Sequence, residues 1–82
     1  MTDWRETIGA AVMEIASRSS QVTEIQPEQL LTRDLGFSSL DYAELVATLE
    51  ATLSVDPFSQ DVAITSIRSV NDLYQAYQKY FT

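Results

Sequence analysis

The chain has no histidine and no cysteine, and only five of its 82 residues are Lys or Arg. Without histidine the common general base of neutral-pH catalysis is missing, so a serine–histidine triad cannot form. Without cysteine there is no thiol nucleophile, no disulfide framework and, with histidine also gone, no ordinary zinc ligand set. Twelve acidic residues against five basic ones give a formal charge of -7 and a pI near 4.1. That balance opposes binding to nucleic acid phosphates or anionic lipid headgroups and favours partners with basic patches. No apolar run approaches the roughly 20 residues needed to span a bilayer, and no basic stretch precedes a long apolar one at the N-terminus. A cytoplasmic protein is expected. Two glycines, two prolines and 45% hydrophobic residues predict one compact helical domain over 1–82, too small to enclose a large catalytic cleft.

Apolar residues recur at helical spacing in distinct segments. Trp4, Ile8, Ala11, Val12 and Ile15 predict a helix over 3–18, with Asp3 and Glu6 resembling a capping box. The polar stretch 19–26 breaks the pattern, and Pro27 and Glu28 are expected to open a short helical turn whose Leu30 and Leu31 anchor a long loop. A second helix is expected over 40–53, with Leu40, Ala43, Leu45, Val46, Leu49 and Leu53 forming its apolar surface and Asp41, Glu44 and Glu50 facing solvent. Asp56 and Pro57 signal a turn, followed by one short third helix within the region of Phe58, Val62, Ala63, Ile64 and Ile67. Ser69 and Asp72 resemble an N-cap pair. Val70, Leu73, Tyr74, Tyr77, Tyr80 and Phe81 then predict the last helix, its aromatic rings in the core and its phenol groups reaching water.

Between the first two helices, Gly36 can take a positive backbone dihedral, and Ser38 or Ser39 is a favourable N-cap for a helix beginning at Leu40. A phosphodiester on a serine there would lie beside free backbone N–H groups and the positive end of the helix dipole, an effect of about 0.3–1 kcal/mol at an exposed site. Taken alone, two serines before a helix are simply caps. The flanking residues say more. Asp34, Leu35, Gly36, Ser39, Leu40, Asp41, Glu44 and Leu45 resemble the D-L-G-x-D-S-L-D-x-x-E-L signature of acyl carrier proteins, with Ser38 standing where that family usually has aspartate.

The resemblance extends over nearly the whole chain. It implies an all-α, small four-helix bundle with a long loop between helices 1 and 2 and a short third helix. It also implies a non-catalytic carrier that holds acyl groups as thioesters on a 4'-phosphopantetheine arm attached to Ser39. A phosphopantetheinyl transferase would supply the arm from coenzyme A. Acyltransferases, ketosynthases or other pathway enzymes with basic docking patches would meet the second helix. The recognition residues expected by resemblance are Ser38, Leu40, Asp41, Glu44, Val46, Ala47 and Glu50, with Phe37 partly exposed beside the serine. Exposed ion pairs are individually weak, about 0–1 kcal/mol, which suits transient docking. A monomer in polyketide or specialised fatty-acyl assembly is expected. The alternatives are a stand-alone peptidyl or aminoacyl carrier and an unmodified acidic interaction module. A small serine hydrolase has neither a His base nor a Gly-x-Ser-x-Gly elbow to support it.

Overall fold

A computed structural model of the chain describes residues 3–18, 23–59 and 64–81. Helix α1 spans Trp4–Ala16, α2 spans Ser39–Leu53 and α3 spans Val70–Gln78. The all-α class holds, but the described residues contain three α-helices rather than four. Where a short third helix was expected there are two 3-10 turns, Pro57–Ser59 and Ile64–Ser66. The Asp56 carboxylate accepts a hydrogen bond from the Phe58 N–H at 3.1 Å, an Asx-type contact that favours a turn over a continued helix. Val62 and Ala63, assigned to that helix from the sequence, lie outside the described residues.

One stripe of α1 (Ile8, Ala11, Val12, Ile15 and Ala16) packs into the core with Leu45 and Leu49 of α2 and Val70, Leu73, Ala76 and Tyr77 of α3. The helical period places these residues on facing sides, and burial of each large aliphatic chain contributes about 1.5–3 kcal/mol. Asp3 caps α1 by accepting from the Arg5 N–H at 2.9 Å. The expected partnership with Glu6 is not the one formed. At the same end of α1, Phe81 stacks on Trp4 with ring centroids 5.5 Å apart. Tyr80 and Phe81 are exposed, not core, because α3 ends at Gln78 and they fall in the closing turn.

The expected turn forms at Pro27 and Glu28, where the Gln29 N–H donates to the Gln26 carbonyl at 3.2 Å, and backbone pairing holds the long connection before α2 to the start of α3. Leu30 and Ser69 form an isolated antiparallel bridge. The Leu31 N–H donates to the Arg68 carbonyl at 2.8 Å, and the Val70 and Asn71 N–H groups donate to the Gln29 and Pro27 carbonyls at 3.0 and 2.8 Å. The start of α3 thus satisfies its free donors on the loop. Leu31 and Leu35 drive their side chains fully into the core from this loop. The pairing brings the entry of α3 alongside the entry of α2.

Candidate functional site

The entry of α2 is built by three consecutive choices in the chain. Gly36 has φ of 73°, a left-handed conformation that costs a residue bearing a Cβ far more than glycine. Phe37 then folds inward. Its N–H donates to the Leu31 carbonyl at 2.9 Å, and its ring, only 5% exposed, packs edge-on to Tyr42 at 5.7 Å. Phe37 was expected to be partly exposed. Its burial closes the loop onto the bundle and leaves no aromatic face for a partner.

Ser38 is the N-cap. Its hydroxyl accepts from the Asp41 N–H at 3.2 Å, and the Asp41 carboxylate accepts from the Ser38 N–H at 2.9 Å, a full capping box. The helix therefore begins at Ser39, one residue earlier than the spacing predicts. Serine and aspartate are comparable caps, so Ser38 performs at this position the same backbone work as the aspartate usual in the motif. Ser39 is in the first turn. Its side chain is exposed and makes no hydrogen bond among the described residues.

The remaining predicted recognition residues divide by their surroundings. Leu40 is 76% exposed beside Ser39, so it belongs to the surface and not to the packing face. Ala43, read as packing, is also exposed; Ala47 is exposed and Val46 is half-buried. The 100° turn per residue puts Leu45 and Leu49 inward and carries Leu40, Ala43 and Ala47 outward. Asp41 is occupied by the capping box. Glu44 pairs with Arg18, at the end of α1. The Glu50 side chain is exposed with no hydrogen bond or ion pair among the described residues, which leaves it as the most available of the three carboxylates for a basic partner.

A cavity of about 400 Å³ opens next to Ser39, lined by Thr32, Ser39, Tyr42, Thr65, Ile67 and Arg68. The Tyr42 hydroxyl donates to the Ile67 carbonyl at 3.3 Å across it, and partial burial raises the phenol's pKa. Apart from Ser39, none of these residues was singled out for the site from the sequence. They come from three separate segments, and only the pairing of the loop with the start of α3 assembles them. Arg68, a cation immediately before an N-cap in an acidic chain, was the one usable signal.

The donor set suits a phosphate-bearing group on a serine: an exposed hydroxyl in a first helical turn, an arginine on the same cavity, and threonine hydroxyls at its rim. Among the described residues there is no cluster of acidic side chains suited to a metal, and no helix long and apolar enough to cross a membrane.

Residues 6–76 match the phosphopantetheine attachment site family. No curated protein sequence matches the chain. Among solved structures, the fold is similar to a protein of Mycobacterium tuberculosis assigned as an acyl carrier protein, with 26% identity, 96% of this chain and 100% of that chain covered, and a TM-score of 0.77. It is also similar to MacpD, an acyl carrier protein of Pseudomonas fluorescens involved in mupirocin biosynthesis. That match has 33% identity, covers 95% of this chain and 70% of that chain, and has a TM-score of 0.76.

Proposed function

The chain belongs to the phosphopantetheine-attachment family of acyl carrier proteins, and we propose that its 4'-phosphopantetheine arm is carried by Ser39 within a single carrier domain over 1–82. The observation that supports Ser39 over its neighbour is the capping box. Ser38 has its hydroxyl and its N–H both engaged with Asp41, whereas the Ser39 hydroxyl is exposed and uncommitted. A phosphodiester on Ser39 would gain from the N-terminal end of α2 without disturbing its cap.

When bound, the arm supplies the thiol this cysteine-free chain lacks, on which an acyl group is held as a thioester. The protein's own residues present it. The rigid Gly36–Phe37 turn and the capping box hold Ser39 at a fixed place on the surface, and Leu40, Ala47 and Glu50 form the adjoining face of α2. A transferase, then acyltransferases or ketosynthases, would meet this face through basic residues paired with Glu50 and through apolar contact with Leu40. We read the protein as a cytoplasmic, monomeric, non-catalytic carrier. Similarity to an acyl carrier of mupirocin biosynthesis supports polyketide-type assembly over peptide assembly.

Incubation with coenzyme A and a permissive phosphopantetheinyl transferase, followed by intact mass, tests the attachment. The expected result is one added arm on wild type and Ser38→Ala and none on Ser39→Ala. Modification that survives Ser39→Ala would move the site elsewhere.

A further inference from the structure

Arg68 has an unusual position among the cations of this chain. Arg5 lies over the Trp4 ring, Arg18 pairs with Glu14 and Glu44, Arg33 pairs with Asp34, and Lys79 lies over the Tyr80 ring. The Arg68 guanidinium has no ion pair, ring contact or hydrogen bond among the described residues. Its backbone, by contrast, is fixed on both sides: the N–H donates to the Asp72 carboxylate at 3.0 Å and the carbonyl accepts from the Leu31 N–H at 2.8 Å. The anchored backbone fixes the place from which this flexible, uncommitted side chain extends.

That place is the cavity shared with Ser39. Among the described residues, the acid on which Arg68 acts electrostatically is Asp72, whose pKa it helps to lower. Its carboxylate forms no ion pair with the guanidinium and is already accepting from the Arg68 and Ser69 backbone N–H groups. In a protein of net charge -7, an arginine with no ion pair among the described residues that lines the same cavity as Ser39 is best matched by an anion placed there.

We propose that Arg68 holds the phosphodiester of the arm carried by Ser39 and folds the arm into the cavity between the start of α2 and the Thr65–Arg68 segment. The inference rests on the Ser39 reading given above. Guanidinium and phosphate match in charge and in the geometry of two parallel N–H donors. Ile67 and Tyr42 give the cavity apolar lining that suits the methylene and dimethyl groups of the pantetheine, and Thr32 and Thr65, on the same lining, bring hydroxyls that suit its amides. The contact works as a latch. It restrains the resting arm against its own carrier, and a partner enzyme that supplies its own cations to the phosphate releases it.

The test uses the full chain of wild type, Arg68→Gln, Arg68→Lys and, as a control on a nearby paired arginine, Arg33→Gln. Each is loaded from isotope-labelled coenzyme A by a permissive transferase. Intact mass and peptide mapping first establish one arm on Ser39. The arm is then observed directly by its nuclear Overhauser contacts to Tyr42 and Ile67 and by the phosphorus resonance of the phosphodiester. Wild type and Arg33→Gln are expected to give these contacts. Arg68→Gln should lose them and move the phosphorus resonance toward that of free phosphopantetheine, and Arg68→Lys, which keeps the charge, should retain them in part. Circular dichroism of the unloaded variants checks that folding is intact, as an exposed side chain predicts. Identical spectra for wild type and Arg68→Gln, or no arm contacts in wild type, would overturn the arginine assignment while leaving Ser39 in place. Absence of an arm on Ser39 would overturn both.

Discussion

The Ser38 hydroxyl accepts from the Asp41 N–H at 3.2 Å while the Asp41 carboxylate accepts from the Ser38 N–H at 2.9 Å, so two neighbouring serines in the same motif have different work. Ser38 starts the helix and Ser39 remains available. Loss of the first should register as stability and loss of the second as chemistry. Ser38→Ala is expected to cost about 1 kcal/mol, the usual range for an N-cap being about 0.5–2, and to leave arm attachment intact. Ser39→Ala should change the urea midpoint little and abolish attachment. Urea denaturation beside intact mass on the two variants separates these roles.

Tyr77 is 0% exposed, and its buried hydroxyl has no hydrogen-bond partner among the described residues. The helical spacing predicts this hydroxyl in water. Instead the ring packs edge-on to Phe58 at 6.0 Å, deep enough that its polar tip is buried with it. Tyr77→Phe removes an unsatisfied group of nearly unchanged shape and should stabilise the protein by about 1 kcal/mol, since an orphaned buried polar atom costs about 1–3. Burial, followed by the Asp56 and Glu50 charges, raises the phenol's pKa well above its ordinary value. A raised folded-state pKa means its contribution is intact below the unfolded value of about 10 and is lost as pH climbs above it. Chemical denaturation between pH 9 and 11, ranges set by that same value of about 10, should show a shallower decline for Tyr77→Phe than for wild type.

The Asp72 carboxylate accepts from the Ser69 and Arg68 backbone N–H groups, and these bonds hold its pKa below the usual carboxylate value. A lowered folded-state pKa gives stability that is present above the unfolded value of about 3.9 and lost as pH falls through the folded one. Asp72→Asn should therefore be less stable than wild type at neutral pH, and the gap should narrow in acid. Urea midpoints for the pair at neutral pH and near pH 3, below that value of about 3.9, check the sign.

The Tyr42 hydroxyl ties α2 to the Ile67 carbonyl across the cavity. Tyr42→Phe should cost about 0.5–1 kcal/mol, toward the lower part of the range for a single hydrogen bond because the contact is 3.3 Å long and half-exposed. Thermal unfolding of the unloaded protein measures it.

On the outer face of α2, Glu50 is the uncommitted carboxylate, while Glu44 pairs with Arg18. Reversing Glu50 to Lys should weaken transferase docking by about fivefold in KM, equivalent to the roughly 1 kcal/mol of an exposed pair. Glu44→Gln should have a smaller effect, because part of that charge is already balanced within the protein. Steady-state attachment kinetics at low salt provide the comparison, and the difference should shrink as salt is raised.

What could be read from the chain before folding was local. The three helices, the Ser69–Asp72 cap and the motif around Ser39 depend on residues within a few positions of each other, where helical period and capping chemistry act directly. The same logic located the core stripe of α1. Phe37, Leu40 and the aromatic end of α3 went the other way: Phe37 is turned inward by the Gly36 turn, Leu40 lies off the Leu45–Leu49 face of α2, and Tyr80 and Phe81 fall beyond Gln78, where α3 ends. The site itself was half legible. Ser39 and its neighbours follow from sequence spacing, but the cavity beside them joins Thr32, Tyr42 and Arg68 from three segments. Those residues meet because the loop pairs its backbone with the start of α3, through the Leu30–Ser69 bridge and the Leu31–Arg68 hydrogen bond. Backbone pairing between distant segments leaves no periodic trace in the side chains. The sequence therefore determined that two serines stand at the entry of α2, whereas tertiary structure alone brought Arg68 to the cavity that Ser39 lines.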